Sequence, residues 1–259
     1  MAVNPGIEWL ADNWGWFLEN HQRAMAFLQR GIKLANQKLA DGIAGPFPPA
    51  LEGRLRIIIG HITYLETSLI ELAKQTPAIV GNPPQLYVAA TAWEHDVHGL
   101  MGGLSVGEES LQALPQGDAG QRWNDNAAQL YAAASRSHQK TIDGMNECHS
   151  AISGALTQTA LANAQVLPAV VIALVTADLA IAGAILALDG GIPGMIAGAG
   201  LIATALGIAI SAIVGIIVAA IAYLSGIASA SGGLTQQLNE VPATWPQPQY
   251  TDFYSKVYQ

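Results

Sequence analysis

Six histidines, one cysteine and nineteen carboxylates set the limits of the chemistry available to this 259-residue chain. The densest group is "WEHDVHG" (93–99), with Glu94, His95, Asp96 and His98. On a helix, Glu94 and His98 stand one turn apart and His95 and His98 nearly so, a spacing that can hold a metal ion. No second cluster with ligand spacing accompanies it, and a solvated helix face explains it better, so no metal is expected. Cys148 and His149 are adjacent, and adjacent residues on a helix point in different directions. No orienting acid is evident, so they are not read as a nucleophile pair. The chain has no Gly-x-Ser-x-Gly, P-loop or His-Glu-x-x-His pattern, and "GIPGMIAGAG" (191–200) does not follow a strand, as a phosphate loop would. The expectation is a protein without cofactor that is not an enzyme.

His21 and His138 fall on apolar stripes, where protonation would weaken a helical bundle in acid. Asp178 stands alone among apolar residues. Mid-membrane it would cost about 2.5–3.5 kcal/mol. It either lines a water-filled lumen or enters lipid protonated, or it bonds Thr176, Ser211 or backbone inside a soluble core. If Asp178 and Asp189 also lose charge in acid, acid-triggered membrane insertion is a coherent hypothesis.

The elements that would carry these residues are helices. In 51–72 the apolar positions Leu51, Leu55, Ile58, Ile62, Leu65, Leu69 and Leu72 alternate in steps of four and three, a heptad spacing that favours near-parallel helix packing. Similar stripes run through 7–39 and 86–114, and a fourth begins near Gln121. Breaks are expected at 41–50, 76–85 and 114–123. Asn82, Pro83 and Gln85 are suited to start a helix, and Gly102-Gly103 is a place where the third helix would kink. No alternating run predicts a strand.

Two long apolar segments follow. Residues 166–188 hold 23 positions with one charge, and 195–224 hold 30 with none. As helices they would be about 34 Å and 45 Å long, enough to cross a hydrocarbon core. The six residues "DGGIPG" between them require antiparallel neighbours, with Asp189, Gly190, Gly191, Pro193 and Gly194 at the tip. In the second segment Ala199, Ala203, Gly207, Ser211, Gly215 and Ala219 recur every four residues as a small-residue ridge, the kind that lets helices approach in lipid. Ala173, Ala177, Ala180 and Ala184 offer a facing surface. A buried hairpin at the centre of a soluble bundle is apolar all round too, so both environments remain open.

Composition agrees with a membrane-active chain. It is 51% hydrophobic with a mean hydropathy of +0.31, and 12% charged, about half the usual share. Ten of eleven Lys/Arg and fifteen of nineteen Asp/Glu lie in residues 1–149. The net charge of −8 argues against nucleic acid as a partner. A single cysteine permits no internal disulfide and leaves the redox compartment open. The N-terminus lacks the basic and apolar regions of a secretory signal peptide. Arg122, Arg136 and Lys140 precede the hairpin while its turn has no basic residue. In a resident protein that would leave the front part on the side of synthesis. Aromatic clusters at Trp9, Trp14 and Trp16, and at Trp245, Tyr250, Phe253, Tyr254 and Tyr258, suit core packing, a docked tail or a membrane interface.

Two resemblances bear on function. Residues 86–155 form a helix, the turn "LPQGDAGQRWNDNAAQLY" and a second helix. This resembles the helical hairpins of WXG-type proteins of type VII (ESX) secretion, with Pro115-Gln116-Gly117 standing where Trp-x-Gly would be and Trp123 following. The resemblance implies export without a signal peptide. The apolar hairpin at 166–226 among long helices is similar to α-helical pore-forming toxins of the cytolysin A and pore-forming colicin kinds, which implies a hairpin hidden in water that inserts on activation.

The expected fold is all-α, an elongated bundle of about five long helices with a long apolar helical hairpin. Its expected parts are an amphipathic bundle (1–150), a membrane-active hairpin (151–232) and an aromatic tail (233–259). The expected function is that of an exported, membrane-inserting, pore-forming or permeabilising protein. Its expected partners are a lipid membrane, further copies of itself and, in one variant of the reading, a second helical chain. It would be secreted and then membrane-associated. The alternatives are a resident two-span inner-membrane protein with a helical scaffold domain, and a soluble helical interaction module.

Overall fold

A computed structural model describes residues 5–43, 48–113 and 126–240. They are all-α: α1 (Pro5–Ile43), α2 (Pro49–Val80), α3 (Pro83–Ala92), a π turn (Trp93–His98), α4 (Gly99–Ala113), α5 (Asn126–Ala187) and α6 (Gly191–Glu240). Four are long, with 39, 32, 62 and 50 residues in α1, α2, α5 and α6. The third helical run does not add a fifth unbroken helix, because the π turn divides it. The helix start expected near Gln121 and the "LPQGDAG" segment lie outside the described residues, as does the aromatic tail beyond Glu240.

The stripes decide which faces are buried. On α1, Trp14, Phe17, His21, Ala24, Leu28, Ile32, Ala35 and Leu39 are buried in steps of three and four, while Asp12, Glu19, Arg23, Arg30, Lys33 and Asp41 are exposed. On α2, Leu55, Ile62, Leu69 and Thr76 repeat every seven residues on the buried side. Its start is set by Pro48, whose carbonyl accepts from the Leu51 and Glu52 amides, and by Pro49 in the first turn.

α2 extends into the break expected at 76–85 and ends there. Pro77 lies inside it, and the helix stops only at Gly81, whose φ of 67° favours glycine and whose N–H donates to the Pro77 carbonyl at 3.0 Å. A proline has no N–H for the carbonyl four residues earlier, which here is that of Ala73. His21 of α1 hydrogen-bonds the Ala73 backbone, supplying the donor that Pro77 lacks.

The chain divides into two compact units. One comprises residues 1–84 and 159–224; the other comprises 85–158 and 225–259. The first holds α1, α2 and the apolar parts of α5 and α6 around one core, with Leu28, Ile32, Leu39, Leu55, Ile62, Leu167, Leu174, Ile181, Ile202 and Leu206 all fully buried. In the second, α3, the π turn and α4 pair antiparallel with the first part of α5. Ser153 donates to the Ala90 carbonyl at 3.0 Å, Ser105 to Asp143, and Ser135 to the Glu108 carbonyl at 2.9 Å. The helical hairpin expected for 86–155 is therefore present, although its turn is not described.

Candidate functional site

The apolar hairpin is built on two interlocking stripes. On α5, Leu167, Val170, Leu174, Ala177, Ile181 and Ala184 are buried, as is Leu188 just beyond its end, and on α6, Met195, Ala199, Ile202, Leu206, Ala209 and Ile213. Both alternate three and four, which keeps each stripe on one side of its helix. The turn between them is shorter than "DGGIPG": only Leu188, Asp189 and Gly190 separate the helices, and Pro193 and Gly194 already lie in α6.

Glycine makes so short a link possible. Gly191 has a φ of 70°. A Cβ on Gly194 would stand 2.4 Å from the Ala187 carbonyl oxygen, and one on Gly198 2.8 Å from that of Ala184 and 2.6 Å from Leu188 Cδ2. Backbone meets backbone here, and no side chain fits between. Gly190 closes the turn by donating to the Ala187 carbonyl at 3.0 Å.

The tip is fastened to α1. Lys38 Nζ donates to both Asp189 carboxylate oxygens at 2.7 Å. Met195 presses so closely on Gly42 that a Cβ there would overlap its thioether. Further along, Asp178 lies against α1: its Oδ1 would lie 3.3 Å from a Cβ on Gly31, beside Ile181. The Thr176 hydroxyl donates to the Ile172 carbonyl at 2.8 Å.

The opposite face of the hairpin is uncovered within this unit. Ile172, Val175, Leu179 and Leu186 of α5, and Leu201, Ile208, Val214, Val218 and Ile221 of α6, are exposed. Between them runs an open apolar groove. One part, of about 340 Å³, is lined by Ala173, Thr176, Ala180, Ile208 and Ala212 among others, and it shares Ala169 and Ile216 with a second part of about 470 Å³ that reaches Gln165 and Tyr223. The most apolar stretch of α5 has a mean hydropathy of 2.4 and is 33% buried; that of α6 has 2.7 and is 22% buried. Both helices are long and apolar enough to cross a membrane, by length and composition.

The small-residue ridge follows a different path from the seam. Four residues of helix turn about 400°, so a four-residue repeat drifts about 40° per step while the seam stays on one face. Ala199 is fully buried, Ala203 and Gly207 are half-buried, and Ser211, Gly215 and Ala219 are exposed. The ridge leaves the core near the tip and winds onto the uncovered face. Nothing lies within 4 Å of where a Cβ on Gly207 or Gly215 would sit.

The other residues of chemical interest are scattered, most of them in the second unit and His21 in the first. "WEHDVH" forms the π turn, in which the Gly99 amide donates to the Glu94 carbonyl five residues back. His95 and Asp96 are exposed, while His98 Nδ1 lies 3.3 Å from the Asn146 carbonyl and Trp93 stacks on His149 at 5.0 Å. Among the described residues no three His, Cys, Asp or Glu side chains are placed to share a metal ion. Cys148 is buried, with His149 turned to Trp93 instead of to the thiol. The two stripe histidines differ. His21 is 1% exposed and its Nε2 has no partner, and burial lowers its pKa despite the Ala73 hydrogen bond. His138 Nδ1 sits 3.6 Å from a Glu108 carboxylate oxygen.

Compared with known proteins, the chain matches no family model, no curated protein and no solved structure. Sequence patterns drew attention to the hairpin, its tip and Asp178. The α1 fastening and the π turn carried no such signal, since Lys38 lies far from Asp189 in sequence and "WEHDVHG" has ordinary helical composition.

Proposed function

We propose that this chain is a membrane-inserting protein that folds as a helical bundle in water, after which its α5–α6 hairpin enters lipid and several copies permeabilise the bilayer. The observation that carries this reading is the uncovered apolar face of a hairpin long enough to cross hydrocarbon. Contiguous apolar surface of this extent mid-protein marks an interaction with a membrane or partner. Nothing in the site calls for a reaction, so the proposal assigns no catalysis and no cofactor. Export belongs to the same proposal and rests on the helical hairpin of residues 86–155. A second helical chain in the assembled pore is compatible with it.

A resident two-span membrane protein with a helical scaffold domain is the second reading, and the same uncovered face favours it. Against permanent residence stands the charged outer side of α1, which lies along the hairpin with Arg23, Arg30 and Lys33 exposed. Each such charge in mid-bilayer costs about 2.5–3.5 kcal/mol, so a hairpin in lipid must first part from α1. Purification without detergent, followed by dye release from phosphatidylcholine/phosphatidylglycerol vesicles, tests the proposal. A pore-former purifies from the aqueous phase and releases dye. A chain that needs detergent throughout is a resident membrane protein, and one that stays in buffer and ignores vesicles is a soluble interaction module.

A further inference from the structure

The geometry points to α1 as a releasable strap, fastened at the hairpin tip by Lys38 on Asp189 and by Gly42 against Met195, whose departure sets the rate of membrane insertion. This inference rests on the membrane-insertion reading and names its control. The two fastenings lie within one turn of each other on α1 and grip both sides of the turn, since Asp189 ends the α5 side and Met195 begins the α6 side. Below them Gly31 lies against Asp178 and Ile181, a close approach that its missing side chain allows. Further down, His21 holds the Ala73 backbone of α2.

Why α1 in particular must leave follows from its two faces. Its buried stripe completes the core shared with α5 and α6, while its other face carries Asp12, Glu19, Arg23, Arg30, Lys33 and Asp41 into water. The hairpin has an apolar far side ready for hydrocarbon, but on the near side it carries a charged helix along its length. With α1 attached, the hairpin can lie on a bilayer and cannot cross it. The tip is where crossing must begin, because it is the part that has to reach the far leaflet. The ion pair there is half-exposed, with 34% and 64% of the Lys38 and Asp189 side chains accessible. A pair in that setting is weak, which suits a fastening meant to open.

A disulfide across the fastening tests the strap. In the full-length chain carrying Cys148→Ala, to remove the native thiol, Gly42→Cys and Met195→Cys are introduced together, and dye release from phosphatidylcholine/phosphatidylglycerol vesicles is timed before and after reduction. The expected result is a crosslink that slows release at least tenfold in the oxidised double variant and is reversed by dithiothreitol, while each single-cysteine variant releases dye at the same rate before and after reduction. Failure of the two cysteines to crosslink, or equal release by oxidised and reduced protein, would overturn the strap while leaving membrane insertion standing. No release by the wild-type chain would sink the insertion reading and the strap with it. Lys38→Glu gives an independent check. Release should become about two- to fivefold faster, the scale of a weak ion pair, and the reversed pair Lys38→Glu with Asp189→Lys should return it to the wild-type rate. An unchanged rate in Lys38→Glu would also count against the fastening.

Discussion

At the scale of single residues, His21 is where sequence chemistry and packing meet. Its ring is buried between α1 and α2, and it bonds the Ala73 backbone at the position where Pro77 leaves a carbonyl without its helical donor. Nε2 has no partner, so a second proton would be buried unpaired. Burial accordingly lowers the His21 pKa below its usual 6.5. The unfolded chain then binds this proton more readily than the folded one. The stability tied to neutral His21 is complete above about pH 6.5 and falls away as the pH drops from there through the folded-state pKa. Glu66 works in the other direction, since its burial raises its pKa and makes its ionised form the costly one. A variant therefore separates the two. In urea titrations at pH 7.5 and 5.5, His21→Gln, which can still donate to a carbonyl but does not titrate, should lose less stability between the two values than the wild type. Equal losses would assign the acid sensitivity to other groups.

At the scale of elements, glycines divide into those that fit a close approach and those that only weaken a helix. Gly198→Ala drives a methyl into the Ala184 carbonyl and Leu188, and should cost about 1–3 kcal/mol, the range for overpacking. Gly102→Ala and Gly103→Ala, with nothing within 4 Å of the new methyl, should each gain up to about 1 kcal/mol from helix propensity. Thermal unfolding of the three variants checks both signs at once. The same contrast shows what was legible in advance. The stripes of α1, α2 and the hairpin follow from apolar periodicity, a local property of sequence, and the all-α class and the apolar hairpin followed with them. Gly102-Gly103 reads as a kink or split, yet α4 is continuous through it and the π turn falls at Trp93–His98. Glycine lowers propensity without dictating a bend. A π turn is chosen by what packs around it, here His149 on Trp93 and Asn146 beside His98. The break expected at 76–85 falls at Gly81 and Asn82, with Pro77 one turn inside the end of α2. The contacts of Asp178 and Asp189 depend on α1, more than a hundred residues away, and no local pattern encodes that pairing.

Across the first unit as a whole, the decisive feature is that the hairpin has two unlike sides. One is closed by α1 and α2. The other presents Leu179 and Ile208 at 68% and 63% exposure beside an apolar groove. Side chains so exposed contribute little to the soluble fold, and surface substitutions of this kind usually change stability by less than about 0.5 kcal/mol. In hydrocarbon the same positions are costly to charge, at about 2.5–3.5 kcal/mol for each Asp near the helix centre. Leu179→Asp with Ile208→Asp should therefore leave the helical circular dichroism and the unfolding midpoint in buffer close to wild type. Two such penalties together amount to roughly 5–7 kcal/mol against insertion, enough to abolish dye release from vesicles. The control is a matched pair on the charged side of α1, Gln22→Asp with Gln29→Asp, both exposed, which should release dye as the wild type does if α1 stays out of the bilayer. If the hairpin variant still permeabilises vesicles, the uncovered face is not the one that meets lipid. If it unfolds in buffer, that face is buried against another copy of the chain.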